Sequence, residues 1–96
     1  MNFYLTKAAK ADLKLIAKYT EKEHGIVKRN EYLSHIDSLF HLLSQNPNIG
    51  IDCSQIKIGY RKYPVKKHNI YYVLLNNSDV EIVRILHSRM DIISKV

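Results

Sequence analysis

The residues best placed for chemistry lie at the end of the last apolar run of the chain. In Val80-Glu81-Ile82-Val83-Arg84-Ile85-Leu86-His87, the apolar and β-branched types predict a long strand. A period of two puts Val80, Ile82, Arg84 and Leu86 on one face, and Glu81, Val83, Ile85 and His87 on the other. An arginine inside such a strand is costly to bury alone. Arg84 therefore either meets a carboxylate, Asp91 or another acid, or opens onto a sheet face that helices leave uncovered. Ser88-Arg89-Met90-Asp91 follows as a compact polar cluster at the strand exit. Arg61 and Lys62 fall on the strand two back, so cationic groups converge near one sheet surface. Arg61, Arg84, His87, Arg89, Met90 and Asp91 are the candidates for gripping a partner.

Other chemistry finds little support. There is no glycine-rich phosphate loop, no G-x-S-x-G elbow, no H-E-x-x-H and no C-x-x-C. The histidines at 24, 35, 41, 68 and 87 have no spacing that would set several on one metal. His35 and His41, six apart, fall on different faces of a helix. They read as exposed or packed side chains. Cys53, the lone cysteine, reads as structural, since no basic neighbour activates it. No catalytic residue, metal or cofactor is expected.

The elements that must position these residues are bounded by size and composition. Ninety-six residues make one domain, 1–96, with 46% hydrophobic and 25% charged residues, which excludes wholesale disorder. A single cysteine excludes an intrachain disulfide and suits a reducing compartment. Fifteen Lys and Arg against nine Asp and Glu give +6, which favours an anionic partner. No run approaches the ~20 apolar residues of a membrane span. Met1 to Thr6 leads straight into a lysine-studded stretch, with no secretory h-region. A cytoplasmic protein is expected.

Thr6 is a natural N-cap. Behind it Ala9, Leu13, Ile16, Ala17 and Thr20 make one helical stripe. Lys7, Lys10, Lys14 and Lys18 occupy the other side, with Asp12 and Glu21 among them. Gly25 stops that helix. Arg29, Tyr32, Leu33, Ile36, Leu39, Phe40 and Leu43 repeat at three or four along a second, ended by Asn46-Pro47. So short a link makes an antiparallel hairpin, whose stripes need a further apolar surface. The second half supplies it. Gln55–Ile58 alternates as a strand and Gly59 reverses into Tyr60–Val65. Lys66–Asn69 is a polar break, Ile70–Leu75 a buried strand, and Asn76–Asp79 a turn. Tyr4 and its neighbours add a strand beside this meander. The expected fold is α+β, in the order β-α-α-β-β-β-β. The helical hairpin lies on one face of a twisted, mainly antiparallel sheet.

In this order the residues resemble the ParE branch of the RelE/ParE toxins of bacterial type II toxin–antitoxin pairs. The likeness covers nearly the whole chain. It rests on Tyr4-Leu5-Thr6-Lys7-Ala8-Ala9-Lys10-Ala11-Asp12-Leu13 with Ile16 and Tyr19-Thr20, on Pro47-Asn48-Ile49-Gly50, and on Tyr60-Arg61-Lys62-Tyr63-Pro64. It continues through His68-Asn69-Ile70-Tyr71-Tyr72 and Ile82 to Asp91, the most specific block. His24 stands where many relatives carry tryptophan, and Ser88 where glycine is usual. The resemblance implies a non-catalytic poison of DNA gyrase that blocks replication and growth, as in plasmid stabilisation. It implies a ParD-type antitoxin as direct partner and operator DNA reached only through that antitoxin. No membrane and no small-molecule substrate is implied. Arg61, Arg84, His87, Arg89, Met90 and Asp91 then become candidates for toxicity.

The alternative is a RelE-like, ribosome-dependent messenger endoribonuclease. That chemistry needs a group to activate the 2′-hydroxyl, cations for the phosphorane and an acid for the leaving oxygen. Lys57, Arg61, Arg84 and His87 are the residues available for it. Against it, the tail offers Met90 and Asp91 rather than the tyrosine of the nuclease branch, and the middle strands carry no glutamate.

Overall fold

The structure, a computed structural model, describes residues 2–90. Strand β1 (Phe3–Leu5) leads into helices α1 (Lys7–His24) and α2 (Ile26–Gln45). Strands β2 (Ile51–Asp52), β3 (Arg61–Val65), β4 (His68–Leu74) and β5 (Val80–His87) follow. The sheet order is β1-β5-β4-β3-β2. Among the described residues only the β1–β5 pairing is parallel; the other neighbours are antiparallel. This is the expected order, with the N-terminal strand beside the meander and Ile51–Asp52 in the place expected for a strand at Gln55–Ile58.

Local chemistry sets the boundaries. The Thr6 hydroxyl accepts from the Ala9 amide at 3.0 Å and donates to the Val83 carbonyl at 2.7 Å. One side chain thus caps α1 and ties it to the β5 edge where β1 has ended. Gly25 joins the helices at φ 89°, a left-handed backbone that favours glycine. One apolar core lies between hairpin and sheet. Ala9, Ile16, Ile36, Phe40 and Leu43 meet Val65, Ile70, Tyr72, Val80, Ile82 and Ile85 there.

Three expectations are corrected. Gln55–Ile58 is a turn, not a strand. The Asp52 carboxylate accepts from the Ser54 amide at 2.8 Å and its hydroxyl at 2.6 Å, and Ile56 and Lys57 both donate to the Cys53 carbonyl. Such local bonds compete with a ladder and win here. His68 and Asn69 belong to β4, because Lys66-Lys67 alone closes the β3–β4 hairpin and Val65 pairs with His68.

The strict period of two along β5 also fails. Tyr71 faces Arg84 and Tyr72 faces Ile82, so Val83 is an extra residue in the strand. The bulge lets both Ile82 and Ile85 enter the main core. Leu86 instead joins Tyr71 and Ile56 in a second cluster. Arg84 therefore does not share a face with Val80 and Ile82.

Candidate functional site

The bulge brings Arg84 to a carboxylate, and that carboxylate is Asp12 of α1. Arg84 Nε donates to Oδ2 and Nη2 to Oδ1, each at 2.8 Å, while the Ile85 amide donates to Oδ2 at 3.0 Å. The side chains are 19% and 8% exposed. The Asp12 hydrogen bonds hold the Arg84 pKa above its usual value, against the opposing pull of burial. Asp12 is thus an inward-facing strut rather than a member of the solvated lysine face. The pair fixes α1 against β5.

Three residues beyond Arg84, at the end of β5, the character changes. A groove of about 970 Å³ opens between the helical hairpin, the β3–β4 turn and the strand exit. His87, Arg89 and Met90 line it, three of the six candidates. Leu15 and Tyr19 of α1 give it an exposed apolar wall, with Lys28, Lys66 and Lys67 among the residues around it. Its rim is cationic and its wall apolar.

The groove also gathers four of the five histidines, at 24, 35, 68 and 87, which sequence spacing left scattered. His41 instead packs edge-on against Phe3. His68 and His87 are cross-strand partners with ring centroids 5.6 Å apart. The Tyr32 hydroxyl lies 2.7 Å from His68 Nδ1, and the Arg89 amide donates to His87 Nδ1 at 3.2 Å. Burial first, and electrostatic repulsion from the neighbouring His87 second, lower the His68 pKa. Burial raises that of Tyr32. Among the described residues, no three His, Cys, Asp or Glu side chains are arranged to hold a metal.

Arg61 sits elsewhere. It is four residues from the Val65 end of β3, about 13 Å along the strand. Its guanidinium donates to the Gly50 carbonyl at 2.8 Å and reaches that of Asn48 at 3.4 Å. The same 46–50 loop is held by Tyr72, whose hydroxyl accepts from the Gly50 amide at 2.9 Å and donates to the Pro47 carbonyl at 2.7 Å. Lys57 stands over the Tyr60 ring, 5.6 Å from its centroid. Of Lys57, Arg61, Arg84 and His87, only His87 lines the groove. Asp91 lies outside the described residues. Asp12, Tyr32, His68 and Tyr72 are the residues that sequence reasoning passed over.

The comparisons with known proteins agree with this architecture. The family model for the ParE toxin of type II toxin-antitoxin system, parDE, matches residues 3–92. Toxin ParE1 of Mycobacterium tuberculosis is 32% identical over 90 residues, spanning 94% of this chain and 92% of that protein. Toxin ParE3 of Caulobacter vibrioides is 33% identical over 91 residues, spanning 95% and 90%. A solved structure, the chromosomal ParDE TA system from P. aeruginosa, superposes with a TM-score of 0.77 at 21% identity. That match covers 91% of this chain and 95% of the other, and at that identity it speaks to the fold. The helical hairpin laid over a five-stranded sheet is therefore a shared design, and this chain belongs to the ParE family of type II toxin–antitoxin toxins.

Proposed function

We propose that this chain stops growth by binding DNA gyrase without catalysing a reaction of its own, and that a ParD-type antitoxin silences it by laying an acidic segment into the groove. The observation that carries the reading is the groove itself, an apolar wall under a cationic rim at the exit of β5. Such a surface suits an acidic, apolar-anchored segment that orders on binding: charge speeds the encounter and apolar anchors set its lifetime.

Within this reading His87, Arg89 and Met90 touch partners directly. Arg84 contributes by holding β5 to α1, and Arg61 by holding the 46–50 loop. Asp91 continues the same tail. The dispersal of Lys57, Arg61 and Arg84 onto separate structural tasks supports a binding role over phosphodiester cleavage, which needs such groups convergent. The site of action is the cytoplasm.

Purified protein incubated with gyrase, ATP and plasmid is expected to accumulate linear DNA after detergent and protease treatment. Unchanged supercoiling at excess toxin overturns the gyrase reading. Cut messages from translating ribosomes on addition of the purified protein transfer it to the ribonuclease class.

A further inference from the structure

We propose that the outer face of α1 is a docking ridge for the phosphate backbone of duplex DNA, formed by Lys7, Lys10, Lys14, Lys18 and Lys22. Their spacing of three, four, four and four sets them along one side of the helix. All five are exposed, and none makes an ion pair among the described residues. The acids of α1 do not offset them. Asp12 is turned inward onto Arg84, Glu21 is engaged by Arg29 of α2, and Glu23 falls on the opposite side of the helix.

Of the five, only Lys22 in the last turn meets a favourable end of the helix dipole. Like charges four apart repel, each pair by about 0.2–0.5 kcal/mol. Lys7 and Lys10 also crowd the positive end of the helix dipole, where the first turn carries no acid. A partner of opposite charge accounts for lysines that the fold itself would be better without.

Shape narrows the partner. Fifteen residues separate Lys7 from Lys22, so the ridge runs about 22 Å at a rise of about 1.5 Å per residue. A duplex presents one phosphate per about 1.7 Å of axis, a charge density that keeps every lysine in reach of an anion. Single-strand binding relies on aromatic platforms. The ridge has none, because Tyr19 lines the groove instead. Interfacial membrane helices insert an apolar face. The main apolar stripe of α1, Ala9, Leu13 and Ile16, is spent on the core.

The ridge and the groove are distinct. α1 shows Leu15, Tyr19, Thr20 and His24 to the groove, and none of the five lysines lines it. DNA on the ridge therefore leaves the groove open. The contact is blind to sequence, and it rests on neither gyrase nor antitoxin.

The test titrates the full-length chain into a fluorescently labelled duplex of about 24 base pairs, of arbitrary sequence, read by anisotropy at several salt concentrations. Binding is expected to fall with salt at a log–log slope of about −4.5, as about five neutralised phosphates require. Changing Lys10, Lys14 and Lys18 together to Gln should weaken binding about tenfold or more at about 50 mM salt and flatten the slope by about 2–3. A control changing Lys57, Lys62 and Lys66 to Gln removes the same charge and should leave the slope within about 1 of the parent. Circular dichroism confirms that each variant keeps its helix content. No binding by the parent, equal losses in both variants, or tighter association with phosphatidylglycerol vesicles at equal anionic charge overturns the proposal.

Discussion

Arg84 and His87 stand three residues apart on β5 and live under different rules. Arg84 is bound on both nitrogens it offers to Asp12, and the same carboxylate takes the next backbone amide. His87 touches a half-buried imidazole and the strand's own exit, beside side chains that face open space. One strand thus supplies a rigid joint and, a turn of the pleat later, a soft binding edge. The joint makes the edge usable, because a groove between α1 and β5 keeps its width only while α1 is fixed to β5.

Breaking the joint should produce the largest effect. Asp12→Ala takes the paired carboxylate from a mostly buried guanidinium and the acceptor from the Ile85 amide, and is expected to destabilise by about 3 kcal/mol in urea unfolding. The partial exposure of Arg84 keeps the value at the low end of the range for buried pairs. The double variant Asp12→Leu with Arg84→Met should recover much of the loss, since apolar replacement of both partners removes the buried charge together with its counter-ion. A stability loss of under 0.5 kcal/mol for Asp12→Ala would show the pair to be ornamental.

A second rigid feature sharpens the contrast. Tyr72→Phe removes the acceptor for the Gly50 amide and the donor to the Pro47 carbonyl, with an expected cost of about 1–3 kcal/mol. The loop it anchors also receives Arg61, so proteolysis within residues 46–50 should rise in parallel. A variant as stable as the parent and no more readily cleaved would remove this anchor from the account.

What the sequence made legible follows the same division. The β-α-α-β-β-β-β order, the Thr6 cap and the Gly25 link rest on near-neighbour chemistry, and they stand in the structure. Asp12 was misread because lysines surround it in the chain. Its position, three after Ala9 and four before Ile16, puts it inside the apolar stripe and was the available signal. The bulge at Val83 left no composition cue, so the face on which Arg84 emerges was not legible. Nor was the histidine cluster, since His24 and His35 come from the hairpin and His68 and His87 from strands. Tertiary packing alone joins them.

The groove histidines give a smaller, pH-dependent effect. The folded state holds the His68 pKa below its ordinary value, chiefly by burial. The unfolded chain therefore takes up this proton first as pH falls. His68 contributes its share of stability above the unfolded pKa, near 6.5, and loses it as pH drops toward the folded value. His68→Gln should therefore make the fall in stability between about pH 7 and pH 5 shallower. Parallel curves for parent and variant would show that His68 is not the group responsible.

The smallest effect on stability belongs to the residues given the largest role in binding. Arg89 and Met90 are exposed at the groove rim, and neither side chain contributes to the core. Arg89→Ala and Met90→Ala should each change unfolding free energy by no more than about 0.5 kcal/mol. The same two changes should reduce growth arrest in cells that lack antitoxin, because they remove a charge and an apolar contact from the edge offered to a partner. Asp12→Ala reduces arrest as well, but only in step with its loss of folded protein. The two regions are thus separated by plotting arrest against stability for all the variants. Points for Arg89 and Met90 that fall on the same line as Asp12 would erase the distinction between joint and edge.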